Sequence, residues 1–223
     1  IVTTLFIPFA LFAFELSFNK KFEKEITPDM LKTTINISVN KQNESDILPV
    51  LDKFNKYISK YNNIEKRGGE FSIRPKHKYE KGQSTIVGFS GNIRYTISTN
   101  QPKTMNSFIK KLLTLKVNDE TSVIVSGLNW IISEDKQSQT FESLRLNAII
   151  WSQSYVKKLS TQTNTMCSLK NIDININSNN RIPFRNTKTE LRMMSHSNNS
   201  DIPIPQISKN RVSINPNYVM ECK

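Results

Sequence analysis

Between positions 30 and 61 the spacing of apolar residues changes period, and this limits the fold more than any other feature. Leu31, Ile35, Ile37 and Val39 occupy odd positions, the pattern of a strand with one face buried. Ile47, Leu51, Phe54, Ile58 and Tyr61 then recur at steps of four, three, four and three, which is one face of an amphipathic helix. Asn43, Ser45 and Asp46 supply short polar side chains for the helix start, and Pro49 falls in the first turn, where a missing N–H costs little. The Gly68-Gly69 pair is read as the stop. A strand followed by a covering helix calls for a sheet with helices on one face.

The rest of the chain extends this alternation. Glu15–Glu25 reads as a leader strand, and Thr27-Pro28-Asp29 as a turn. Phe71–Lys78 and Thr85–Thr99 read as strands around a turn at Glu80 to Gln83, with Gly88 and Gly91 marking a bulge or close packing. Pro102–Lys116 reads as a helix burying Met105, Phe108, Ile109, Leu112 and Leu113, and Thr121–Ser133 as a strand. From Asp135, the residues Phe141, Leu144, Ala148, Trp151, Tyr155 and Leu159 hold helical spacing, an aromatic stripe read as core packing. Leu169–Ile176 and Gln206–Glu221 close the chain as strands, the latter interrupted by Pro216. After the leader the order is βαββαβ and then αββ. The expectation is an α+β fold with a mostly antiparallel sheet, helices on one face and a ferredoxin-like βαββαβ core.

The run from Leu5 to Phe14 is continuously apolar. It is shorter than the ~20 residues that cross a bilayer and has the length of a secretory h-region. Residues 1–13 are therefore read as a secretory signal entered part-way, with cleavage after Ala13. Positions 14–223 are read as one exported domain, in which 177–205 form a long polar loop. Export into an oxidising compartment suits a disulfide between the two cysteines, Cys167 and Cys222. If the last two strands pair antiparallel, the start of one meets the end of the other and joins them; two unrelated thiols are the alternative.

Little chemistry is explicit. The net charge of +12 suits anionic polymers or lipid headgroups, although the lysines are widely spread. The densest cationic stretch holds Arg74, Lys76, Lys78 and Lys81, a candidate anion-binding patch. Glycine-rich phosphate loops, a nucleophile elbow and an HExxH pair are all absent from the sequence. Of the two histidines, His77 sits among cations, which disfavours the imidazolium that a general base must form, and His196 lies in a polar stretch. Met193, Met194 and His196 are a thin basis for a soft copper site. The scattered carboxylates define no glycosidase pair. No catalytic residue, metal ligand, cofactor, nucleic acid or small-molecule substrate is expected.

Element order and four motifs resemble the SIMPL-domain family of YggE-like proteins. Thr27-Pro28-Asp29-Met30 followed by Thr34 to Val39 is similar to the family's Pro-Asp turn and next strand. Gly88 to Ile97 resembles its central strand, Glu142 to Ala148 its Arg-x-x-Ala helix opening, and Ser208 to Ile214 with Tyr218 to Glu221 its C-terminal strand. The resemblance implies a periplasmic or outer-membrane-associated protein, in some members a ring-like homo-oligomer, with a suggested role in envelope or oxidative stress and no family catalytic residues. The leader strand, Glu15–Glu25, and the loop at 177–201 are then the expected contact surfaces. The alternatives are a basic module for anionic envelope polymers or lipid, and a periplasmic redox or hydrolytic enzyme.

Overall fold

A computed structural model describes residues 13–116, 119–174 and 202–223. Thirteen elements are formed by the described residues. The strands are β1 (Phe14–Asn19), β2 (Phe22–Ile26), β3 (Met30–Lys41), β4 (Glu65–Glu80), β5 (Gln83–Thr99), β6 (Thr121–Ile131), β7 (Cys167–Asp173), β8 (Asn210–Ile214) and β9 (Asn217–Cys222). The helices are α1 (Ile47–Lys60), α2 (Pro102–Leu113) and α3 (Glu134–Thr163), with one 3-10 turn before α1. Among the described residues every strand pairing is antiparallel, and the fold is α+β as the sequence implies. The described chain forms two compact units.

The larger unit contains Pro28–Ser133. Its run is β3-α1-β4-β5-α2-β6 and its sheet order β4-β5-β3-β6. The alternation of β3 is realised residue by residue: Leu31, Ile35, Ile37 and Val39 are buried, together with Ile93, Tyr95 and Ile97 of β5. Ile47, Leu51, Phe54 and Ile58 of α1 and Met105, Phe108, Ile109 and Leu112 of α2 complete that core. Apolar residues about 3.6 apart on a helix and two apart on a strand meet because each element places them on one side. Ile202 joins the same core, and the Trp130 indole N–H donates to the Pro205 carbonyl at 2.8 Å, which fixes the end of the segment expected as a loop. Residues 175–201, which include most of that loop, and residues 1–12, which include most of the apolar run from Leu5 to Phe14, lie outside the described residues.

Three expectations are corrected. Asn43 and Asp46 do not cap α1: the Asn43 side-chain N–H donates to the Asp46 carboxylate at 3.1 Å, so the two satisfy each other. Gly68-Gly69 does not end the helix, which stops at Lys60; the pair lies inside β4 at φ +105° and +101°, in a bulge where pairing with β5 skips from Gly68 to Phe71. Strand β4 is accordingly much longer than the strand expected from Phe71.

The smaller unit holds the leader, α3 and the C-terminal strands. The leader is two strands rather than one. β1 pairs with β9 and β2 with β8; the break at Lys20 lies opposite Pro216, and the Lys20 N–H donates to the Pro216 carbonyl at 3.2 Å. β9 lies between β1 and β7, so that among the described residues β1 is an edge strand. The aromatic stripe of α3 packs as expected: Trp151 lies 4.7 Å from Tyr155, 5.2 Å from Tyr218 and 6.0 Å from Phe18 between ring centroids. Buried Tyr218 donates its hydroxyl to the Ala148 carbonyl at 3.2 Å.

Candidate functional site

The two cysteines are joined. Cys167 opens β7 and Cys222 closes β9, and they are direct register partners with Cα atoms 4.0 Å apart. The neighbouring pair, Met166 and Lys223, exchanges both backbone hydrogen bonds at 2.9 Å. The cysteines therefore fill the adjacent non-hydrogen-bonded site, where side chains on facing strands approach most closely. The bridge links two strands 55 residues apart in sequence and holds the chain's last strand to the sheet.

The candidate cations split by position. Arg74, Lys76 and Lys78 alternate along β4 and share one face; Lys81 sits in the two-residue turn between β4 and β5, at φ +47°. All four are exposed. The Lys78 ammonium is already engaged by Glu80 at 2.6 Å. His77 points to the opposite face, where Nδ1 lies 3.0 Å from the Ser84 hydroxyl and the ring is 6.5 Å from that of Tyr79. It has no carboxylate partner among its described contacts. Met193, Met194 and His196 lie outside the described residues, and among the described residues no cluster of three or more His, Cys, Asp or Glu side chains is placed to hold a metal.

A cavity of about 490 Å³ opens between α1 and the β4–β5 pair, lined in part by Leu48, Leu51, Asp52, Asn55, Phe71 and Ile93. Gly69, within the bulge, also lines it, and a Cβ there would stand 2.8 Å from the Tyr95 hydroxyl. That hydroxyl donates to the Asn55 side-chain oxygen, and Asp52 pairs with Lys56 at 2.6 Å. Burial raises the Tyr95 pKa above its ordinary value. Of the polar side chains lining the cavity, which also include Ser45, Asn55 is thus held by Tyr95 and Asp52 by Lys56.

Two surfaces have no counterpart among the sequence-derived candidates. Helix α3 carries apolar residues on two sides. Leu144, Ala148, Trp151 and Tyr155 face inward, while Leu146, Ile149 and Ile150 lie roughly opposite and are 51%, 38% and 60% exposed. The signal was present as an all-round apolar pattern, and only the inward stripe was read as meaningful. The other surface is the sheet face of the larger unit turned away from α1 and α2. The even positions of β3 and β5 present Thr34, Asn36, Ser38 and Asn40 beside Ser90, Asn92, Arg94 and Thr96. The Ser38 hydroxyl donates to Asn92 at 2.6 Å.

Among the described residues no helix is long and apolar enough to cross a membrane. An antiparallel α+β protein with a cross-strand disulfide is the class these features define. A family profile described as SIMPL, a protein of unknown function (DUF541), matches residues 20–217, and the chain belongs to that family. No curated protein matches. Among solved structures the chain is similar to a de novo designed protein, Foldit4, at 14% identity over 44% of this chain and 97% of the designed one, with a TM-score of 0.27.

Proposed function

We propose that the chain is an exported, periplasmic protein of the cell envelope, cleaved after Ala13, that acts by contact with further copies of itself or with a partner rather than by catalysis, in envelope or oxidative stress. The observation that carries this reading is the second apolar face of α3. Leu146, Ile149 and Ile150 stand at i, i+3 and i+4 on a helix whose other side already fills a core. Apolar residues so placed favour burial against another surface, at about 25 cal/mol per Å² covered. β1, an edge strand among the described residues, offers a second contact by strand addition. The disulfide suits an oxidising compartment.

Cell fractionation with mass mapping tests the address: the protein is expected in the periplasmic fraction, beginning at Phe14, with Cys167 and Cys222 bonded. Sedimentation velocity tests the assembly. The wild-type protein is expected to be oligomeric, ring-like at its largest, and Leu146→Glu with Ile150→Glu is expected to leave a folded monomer. A wild-type protein that stays strictly monomeric at high concentration sinks the assembly, and reduced cysteines in the cytosol sink the address.

A second reading, a basic module for anionic polymers, is favoured by one observation: Arg74, Lys76 and Lys78 fall on a single face of β4. It predicts binding that weakens with salt.

A further inference from the structure

We propose that the face of the β4-β5-β3-β6 sheet turned away from α1 and α2 binds an acidic polysaccharide, its anionic groups held by Arg94, Arg74, Lys76 and Lys78 and its hydroxyls by a row of Ser and Asn. The proposal rests on the second reading above and gives it a surface and a ligand class.

Strand register places the groups. One row across the sheet reads Arg74, Ser90, Asn40; the next reads Ser72, Asn92, Ser38, Ser122. The third reads Arg94, Asn36, Ile124, and the fourth Arg67, Thr96, Thr34, Ser126. Rows two residues apart lie about 6.8 Å from each other and neighbouring strands about 4.8 Å, so the field is about 20 Å by 14 Å. An extended polymer of several units fits along it.

The side chains decide what that polymer is. Ser, Thr and Asn are short, so the face is flat and little rotamer freedom is lost on contact. Each hydroxyl and amide both donates and accepts, matching a partner dense in hydroxyls. The charges on the paired positions of the four rows are all positive, in a chain with 19 acidic residues. Three carboxylates share β4 with these cations: Glu65, bonded to the Ser98 hydroxyl; Glu70, in the bulge at the level of Arg94; and Glu80, ion-paired with Lys78 beyond the four rows. The rows carry no aromatic ring, which removes the stacking platform that single-stranded nucleic acid uses. Ile124 is their one apolar residue, too little to insert into a bilayer interface. Hydroxyl-matching side chains with cations and without rings fit a charged glycan.

The test is titration calorimetry of the full chain with polygalacturonate at about 50 mM salt, with uncharged dextran, anionic phospholipid vesicles and a DNA duplex as comparisons. Polygalacturonate is expected to bind and dextran not to bind, with vesicles and duplex weaker than polygalacturonate. The triple variant Arg74→Gln, Lys76→Gln, Lys78→Gln is expected to weaken binding about tenfold or more and to flatten its salt dependence. Asn92→Asp, which sets a carboxylate in the middle of the hydroxyl row without removing a cation, is expected to weaken it comparably. A control triple on the helices, Lys103→Gln, Lys111→Gln, Lys157→Gln, is expected to change it about twofold or less. Equal damage from the two triples, an inert Asn92→Asp, or vesicles or duplex binding at least as tightly as polygalacturonate overturns this surface and leaves the second reading standing. Absence of binding to every polyanion overturns both.

Discussion

Gly91 of β5 and Ile47 of α1 compete for one volume: a Cβ built on Gly91 would stand 2.2 Å from Ile47 Cγ2 and 3.2 Å from Leu51 Cδ1. The absence of a side chain at this position lets the first turn of α1 rest on the sheet. Gly91→Ala is expected to cost about 1–3 kcal/mol, read as a lower midpoint in urea denaturation with an unchanged slope. Ile47→Ala in the same chain should recover part of the loss, because it vacates the contested space. Additive losses in the double variant would refute the clash.

Joining Cys167 to Cys222 should matter most for unfolding of the smaller unit. A bridge closing a 55-residue separation is worth about 4 kcal/mol in the chain-entropy account. Cys167→Ser with Cys222→Ser, or reduction of the wild type, is therefore expected to lower stability by about 2–5 kcal/mol, measured by denaturation with and without reductant. The double serine variant should no longer respond to reductant.

The sequence carried much of this fold where one period dominates. β3 was legible because Leu31, Ile35, Ile37 and Val39 face a single core, and α1 because its spacing admits no strand. The cysteine pairing followed from adjacent final strands, since β7 does lie beside β9. The Gly68-Gly69 pair misled because two glycines ordinarily mark a turn; the left-handed conformation they supply serves a bulge, a distinction made only by the partner strand and the Tyr95 ring. The polar sheet face was hidden for a different reason. Ser38, Asn92 and Arg94 show period two, but solvent produces that pattern as readily as a ligand does, and only register reveals that cations and hydroxyls form rows.

Beyond Lys41 of β3, the β4–β5 pair continues as a two-stranded ribbon to the Lys81-Gly82 turn. Both turn residues have positive φ, +47° and +79°, as a type I′ hairpin requires. Lysine is a poor occupant of that conformation. Lys81→Asn is expected to slow amide exchange in the ribbon, and Gly82→Ala to speed it by about 1–2 kcal/mol of local opening energy. The effect should stay within the ribbon, because strands without a third partner open separately from the core. Equal changes in β3 amides would contradict this.

Tyr57 and Tyr218 should set the alkaline limit of the protein. Burial pushes each phenol up to about 12, with the neighbouring Tyr61 adding to the effect at Tyr57. Each hydroxyl donates to a backbone carbonyl, Tyr57 to Phe108 at 3.1 Å and Tyr218 to Ala148 at 3.2 Å, which also favours the protonated form. The folded state thus keeps these protons at pH values where the unfolded chain, titrating near its ordinary value of about 10, has released them. Because the unfolded state then binds fewer protons than the native one, stability is fully present below pH 10 and falls as pH rises toward 12. Phenolate absorbance should show Tyr57 and Tyr218 titrating late in the folded protein, with Tyr95 also raised, and all three moving to about pH 10 in denaturant. Tyr57→Phe and Tyr218→Phe should each remove one of them and flatten the loss of stability between those pH values. A folded protein in which every tyrosine ionises at about pH 10 would show that neither phenol is held away from water.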